Sequence, residues 1–405
     1  MDRDILPFKK GILVFFVFAC AYFISCLLRA ITATLSPSLT AEFNLLAGDL
    51  GLLAGGYFLG FATMQLPLGY LLDKHGPKKI VSSFLLIAIV GTASFALAKS
   101  FTGLLVSRIF IGVGVSACLM GPLTGYRIWF ADHYQQRLNS WMLMIASTGF
   151  VFSTLPVQIL LPIFGWRWIF GGISILVFVC ILLILFFIPK WKQKSKGENV
   201  KNIGTLSDVW KNKFFRSTIP LGLFNYGGMI AVQTLWAGPW MVRVSGYNPL
   251  ESATGLFGIN IVMLTAFFIW GYFLPKIIKG ELTSFKLMKF GLPVSYLVLL
   301  IIIILGSKAG AILLTLYILT SIFLTLAQPA VALSFPTYLA GKAFTSFNLL
   351  IFIGTFIMQW GIGLVIDLAQ KFGNSEVVSF QISFFVYFLI CIFCYLYFVL
   401  KNRNE

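Results

Sequence analysis

The fold class this sequence predicts is an all-α membrane protein of twelve transmembrane helices, and three observations predict it. Hydrophobic residues make up 59% of the 405 and charged residues 11%, against about 25% charged in soluble domains. The apolar residues come in runs that meet the roughly 20-residue requirement for crossing a bilayer. The Lys and Arg are sorted by side: about 22 of the 30 fall in loops and tails on one face, about five on the other, and Arg29, Arg108 and Arg127 lie within apolar segments. Basic loops mark the cytoplasmic face, so the +17 formal charge is read as topology and not as a nucleic-acid footprint. Both termini are placed in the cytoplasm, which requires an even number of crossings of the cell inner membrane.

The hydropathy places helices at roughly 11–36, 48–72, 79–98, 102–130, 138–163, 167–188, 214–242, 252–274, 286–306, 309–335, 344–368 and 380–400. The first apolar run is too long for a cleavable signal peptide and leads into further crossings. Residues 190–213, with seven lysines, form the one long polar interruption and read as a solvated cytoplasmic linker. It separates two six-helix bundles, 1–189 and 214–405. All six cysteines sit inside apolar runs, and Cys391-Ile-Phe-Cys394, despite its redox-like spacing, reads as lipid-embedded filler. His75 and His133 both fall in predicted loops. No catalytic constellation, metal site or cofactor is expected.

In the first helix, Arg29 lies too deep to snorkel comfortably to either surface. An intramembrane arginine costs about 2.5–3.5 kcal/mol on insertion scales and is a functional-site hypothesis by default. Its guanidinium offers a planar fork that takes an anion bidentately and stays charged; the structural alternative is an arginine that caps backbone carbonyls of a neighbouring helix. Tyr22 precedes it by seven residues, and Gln65 in the second helix is a further candidate to face a cavity. In the fourth helix Arg108-Ile-Phe-Ile-Gly112-Val-Gly114 combines a second intramembrane cation with two glycines that permit close helix contact. Arg108 reads equally as a hydrogen-bonded structural residue or as part of gating. Arg127 reads as a surface partner of Asp132. The seventh helix carries Asn225-Tyr226-Gly227-Gly228, then Gln233, Trp236 and Pro239. The two glycines and the proline would let it bend or unwind, and Asn225, Tyr226, Gln233 and Trp236 recur on a polar-aromatic face. Asn260, Gln328, Asn348 and Gln359 are weaker amide candidates, and Asp367 reads as a helix-end contact.

The short loop Gly69-Tyr-Leu-Leu-Asp73-Lys74-His75-Gly76-Pro77-Lys78-Lys79 joins two of these helices. It resembles the loop between the second and third helices of the major facilitator superfamily of transporters. Arg108, Gly112 and Gly114 are similar to that superfamily's fourth-helix motif. The resemblance implies two parallel six-helix repeats, each an inverted three-plus-three. It also implies a latch in which Asp73, with Gly69, Gly76 and Lys78, docks the loop at neighbouring helix ends in one of two alternating states. Gly271 to Lys279 is a degenerate second copy without the aspartate. The Tyr22–Arg29–Pro37 run resembles the first helix of the organic-anion and organophosphate branches, where the arginine binds substrate phosphate or carboxylate. The aspartate that some relatives place just before it is Leu28 here. The fifth helix has Gly149 and Pro156 but not the glycine-proline run of proton-driven drug exporters.

The 13 carboxylates include none in the middle of a predicted helix, whereas proton-coupled exporters of cations usually need a buried acid. The expected function is therefore secondary transport of a small organic anion or zwitterion, such as a carboxylate, amino acid or sugar acid. Alternating access is expected, in the direction of uptake, and the driving force is left open among exchange, facilitated diffusion and symport through the substrate's own proton. Arg29 would bind the anionic group, with Tyr22, Asn225, Tyr226, Gln233 and Trp236 completing the pocket. The alternatives are a drug or siderophore exporter of the same superfamily and a non-transporting membrane sensor. The expected partners are the small-molecule substrate and membrane lipids, without nucleic acid, in a monomer.

Overall fold

The computed structural model describes residues 5–191, 205–278 and 283–402. The centre of the predicted linker, and Lys279 at the end of the degenerate second loop, lie outside these. The described residues form helices and no strand, and the helices group into twelve spans. These are α1 (Phe8–Phe43), α2 (47–75), α3 (77–97), α4 (Phe101–Trp129), α5 (132–164), α6 (166–187), α7 (213–244), α8 (Pro249–Ile278), α9 (Ser284–Leu305), α10 (Ala311–Leu333), α11 (Thr337–Lys371) and α12 (Glu376–Lys401). A short amphipathic helix, Leu206–Lys211, precedes α7, closed at its start by a reciprocal cap between Thr205 and Asp208.

The breaks follow the residues that cause them. Gly76 (φ +78°) divides α2 from α3 and Gly165 (φ +73°) divides α5 from α6, a left-handed backbone that glycine adopts at no steric cost. Pro156 sits just beyond the interruption at Ser153 and Thr154 within α5. In α10 the stretch Ser321–Leu326 tightens to a 3₁₀ helix ahead of Pro329, whose ring and missing N–H disturb the preceding turn. Helix α7 keeps helical backbone angles but widens into π turns at Leu221–Tyr226, Val232–Trp236 and Trp240–Val244, around Gly227–Ala231 and Ala237–Pro239. The bending expected of this helix thus takes the form of three wide turns without unwinding.

The chain divides into two compact units, 1–31 with 56–198, and 32–55 with 199–405. The division differs from a simple cut at the linker because the end of α1 and the start of α2 pack with the second unit. In the first unit, small residues let backbones touch. A Cβ on Gly112 would collide with the Tyr57 carbonyl, one on Gly114 with the Ala88 amide, and one on Gly60 with the Ile109 carbonyl. Close packing of this kind substitutes for the hydrophobic effect that lipid cannot supply. Gly69 of the latch loop makes no such close approach: a Cβ there meets nothing within 4 Å. Helix α2 makes its tight crossing of α4 at Gly60, nine residues earlier, and Gly69 lies on an exposed part of the chain.

In the second unit α7 and α11 cross backbone to backbone at Gly227 and Gly354, and Gly354 also abuts the Leu223 carbonyl. Trp236, Trp240, Phe380 and Phe384 form an aromatic centre with ring centroids 4.5–6.4 Å apart. The start of α2 runs along α11 with Gly48, Gly51 and Gly55 turned to it.

Candidate anion-binding site

Arg29 sits on α1 of the first unit, and aromatic rings from two other helices surround it. Its guanidinium carbon is 5.9 Å from the centre of the Tyr57 ring, 5.2 Å from Phe61 and 5.9 Å from Phe150. Ring faces attract cations, by about 0.5–2 kcal/mol each depending on desolvation. Tyr57 is held by its hydroxyl, which donates to the Ser25 carbonyl at 3.0 Å and lies 3.2 Å from Ser25 Oγ. Ser25 is one helical turn before Arg29, so ring and cation hang from the same stretch of α1. Tyr22 is buried two turns before Arg29 on the same helix. Gln65 is buried as well, with Nε2 3.4 Å from the Phe61 carbonyl.

Arg108 enters from α4. It is fully buried, and Nη1 donates to the Leu28 carbonyl at 2.8 Å. Its guanidinium carbon lies 5.3 Å from the centre of the Tyr57 ring. The residue that precedes Arg29 in the chain is therefore fixed by a second arginine. Arg127, by contrast, is exposed at the end of α4, and the side chain of its expected partner Asp132 lies outside the described residues.

At the α2–α3 loop Asp73 is exposed, and Lys74 Nζ rests 5.6 Å from the Tyr70 ring centre. Lys78 Nζ donates to the Ile188 carbonyl at 2.9 Å. That carbonyl follows the last turn of α6, where cations are favoured. Gly76 is buried against Trp191, so a Cβ would collide with the indole as well as strain the positive φ. The loop is thus tied to the end of α6, an attachment that its own sequence does not announce.

The polar residues of α7 lie in the second unit and are engaged there. Asn225 is buried and donates to the Tyr296 hydroxyl at 2.7 Å and to the Cys391 carbonyl at 3.0 Å. Gln233 donates to Asn260 Oδ1 at 3.1 Å. Trp236 is fully buried and donates from Nε1 to the Gln359 carbonyl at 3.1 Å, while Gln359 Nε2 donates to Thr234 Oγ1 at 3.0 Å. Tyr226 is half-buried. Asp367, read as a helix-end contact, accepts from the amides of Ala47 and Gly48 at 2.9 and 2.7 Å. It caps the N-terminus of α2, where the helix dipole favours negative charge. A groove of about 1140 Å³ between α8 and α10 is lined mainly by apolar groups with Glu251 and Thr254, and offers an anion no cationic side chain.

An intramembrane cation in an aromatic enclosure, glycine-mediated helix crossings and a basic glycine-aspartate loop occur here in one chain. The model of the Major Facilitator Superfamily matches residues 18–359. The chain belongs to that superfamily. Among curated members it is 23% identical over 246 residues to the "Probable sulfoacetate transporter SauU" of Cupriavidus necator, covering 57% of each chain. It is 23% identical over 251 residues to the cis,cis-muconate transport protein of Acinetobacter baylyi, covering 59% of this chain and 60% of that one. It is 23% identical over 252 residues to the niacin transporter NiaP of the same organism, covering 55% and 57%. The chain thus matches less than two thirds of the length of these relatives. Among solved structures, a bacterial homologue of the human lysosomal transporter Spinster superposes with a TM-score of 0.77 at 15% identity, covering 98% of both chains. The D-xylose-proton symporter superposes with 0.75 at 14%, covering 96% and 97%. These two likenesses establish the twelve-helix superfamily fold.

Three members of the site, Tyr57, Phe61 and Phe150, are absent from the sequence-based candidates. With 42 Phe and 14 Tyr in the chain, no single aromatic residue stands out. A search for tyrosines within reach of Ser25 or Arg29 needs the fold first.

Proposed function

We propose that this protein is a secondary transporter that moves a small organic anion or zwitterion across the cytoplasmic membrane by alternating access, in the direction of uptake. The observation that carries the reading is Arg29, a guanidinium inside a membrane span, set among aromatic rings in a unit whose spans contain no carboxylate in their interiors. An anion brought to that fork gains a bidentate, charge-assisted contact where water is scarce. The names of the relatives point the same way, since sulfoacetate, muconate and niacin are all carboxylate anions at neutral pH. Tyr22 and Tyr57 complete the pocket on the first unit; on the second unit, Tyr226, Gln233 and Trp236 are proposed substrate contacts of α7 considered by itself. Asp73 with Gly76 and Lys78 forms the cytoplasmic latch. Among the described residues no acid is buried inside a span, which supports coupling through the substrate's own proton or through exchange.

The test is a thermal-stability screen of the purified protein against metabolite anions, because a ligand that binds the folded state raises its apparent stability. Carboxylates should stabilise the parent and fail to stabilise Arg29→Gln. Stabilisation of both proteins alike would remove Arg29 from the site.

A further inference from the structure

Arg108 has donors that the reading above does not use. Nη1 serves the Leu28 carbonyl, but Nε and Nη2, both buried, have no hydrogen-bond partner. A buried guanidinium with idle donors is costly, since its charge is desolvated without full compensation. Among the described side chains of the first unit the one carboxylate is Asp73, exposed at the α2–α3 loop. The guanidinium carbons of Arg108 and Arg29 are both within 6 Å of one ring centre, that of Tyr57. Two positive charges are therefore concentrated around a single side chain, with no described carboxylate of the first unit buried beside them. The backbone that carries Arg108 is held beside Tyr57, because Gly112, one turn along α4, packs directly onto the Tyr57 carbonyl.

We infer that Arg29 and Arg108, gathered around Tyr57, make this a site for a dianion: one anionic group on the fork of Arg29, the second drawn by the charge of Arg108. The inference rests on the anion reading of Arg29 and adds the charge of the substrate to it. Arg108 acts here as a specificity-determining residue. Its field discriminates between ligands of charge −2 and −1, and its hydrogen bond to Leu28 keeps Arg29 in place. A purely structural arginine would support all ligands equally.

Matched pairs of probes separate these roles. Sulfoacetate, succinate and glutarate are each compared with their carboxyl monoamide, which keeps size and shape and removes one charge. Binding to the purified full chain is followed by thermal stabilisation and by calorimetry at neutral pH. In the parent, at least one diacid should bind about tenfold or more tightly than its monoamide, equivalent to ~1.4 kcal/mol. Arg108→Gln should bring that ratio close to one, whatever it does to affinity for both ligands in common, and Arg108→Lys, which keeps the charge, should restore most of the ratio. A parent protein that binds monoamides as tightly as diacids overturns the inference while leaving the anion site standing, and that comparison needs no variant to fold. Equal losses for both ligands in Arg108→Gln would likewise overturn it. A parent protein that binds none of the probes overturns the anion reading and this inference together.

Discussion

In the first unit the large polar groups inside the membrane spans include, beside the amide Gln65, the guanidiniums of Arg29 and Arg108, set against the rings of Tyr57, Phe61 and Phe150. In the second they are amides, and each donates to a neighbour: Asn225 to Tyr296 and Cys391, Gln233 to Asn260, Gln359 to Thr234, Gln328 to Asn348. These donations join helices without placing a charge between them, while Asn225 Oδ1 and Gln359 Oε1, both buried, accept from no partner. A guanidinium among rings is not neutralised by them, because a quadrupole attracts a cation without cancelling its charge. The two units therefore differ in what their described spans bury, cationic charge in the first and neutral helix ties in the second.

The largest expected effect tests the first half of that division. Arg29→Ala removes the cationic fork, and a buried anion left without its partner loses about 3–5 kcal/mol, over a hundredfold in affinity. Abundance and melting temperature should stay near the parent, because removing a buried charge relieves desolvation. Arg29→Lys should recover only part of the binding, as the point charge lacks the planar fork. Poor folding in both variants, with normal binding by whatever protein survives, would make Arg29 a structural residue.

Asn225→Leu tests the second half. It keeps the volume and removes both donated bonds, leaving the Tyr296 hydroxyl and the Cys391 carbonyl short of a partner, at a cost of about 1–3 kcal/mol. The loss should appear as a lower melting temperature with substrate affinity unchanged. A fall in affinity at unchanged stability would instead return Asn225 to the substrate pocket.

Much of the fold was legible in the sequence because its main signals are local. Run length, basic loops and Gly76 each act through their own neighbourhood, and the twelve predicted spans overlie the twelve observed ones. Ends were less legible: α1 runs to Phe43 against an expected 36, since Ser38 and Thr40 are polar enough to look like loop yet continue the helix. In the site, Arg29 and Arg108 were legible because charge in an apolar run is rare. Tyr57, Phe61 and Phe150 were not, since aromatic residues are plentiful in such runs. The partners of Asn225 and Gln233 were also hidden, because they come from helices 27 to 166 residues away in the chain. Periodicity gives a residue's face and not what that face meets.

Two aspartates at helix ends refine the comparison. Asp367 already accepts from the first amides of α2, a partly buried arrangement worth up to about 2 kcal/mol. Asp367→Asn removes the charge and turns an amide group toward one of the N–H donors. We expect a loss of about 1–2 kcal/mol in stability together with slower transport. Asp73, exposed at the α2–α3 loop, should behave differently. Asp73→Asn should leave melting temperature unchanged and reduce flux, as a latch used in only one stage of the cycle would. Equal stability losses in both variants would erase the distinction.

The smallest effect is the most discriminating. Gln233 was expected in the substrate pocket, and it donates to Asn260 from a half-buried position. A membrane-embedded side-chain hydrogen bond averages about 0.6 kcal/mol by double-mutant cycles. A cycle of Gln233→Leu, Asn260→Leu and the double variant, read in melting temperature, should return a coupling of about that size. The same cycle read in substrate affinity decides the function of the pair. If the amides only join α7 to α8, the three variants bind like the parent. If Gln233 leaves Asn260 to meet the substrate, Gln233→Leu weakens binding about tenfold, ~1.4 kcal/mol. Asn260→Leu then strengthens it, because the competing acceptor is gone. That opposite sign at two residues of one hydrogen bond is something a structural tie cannot produce. It would give the second unit a direct part in recognising the substrate alongside Arg29.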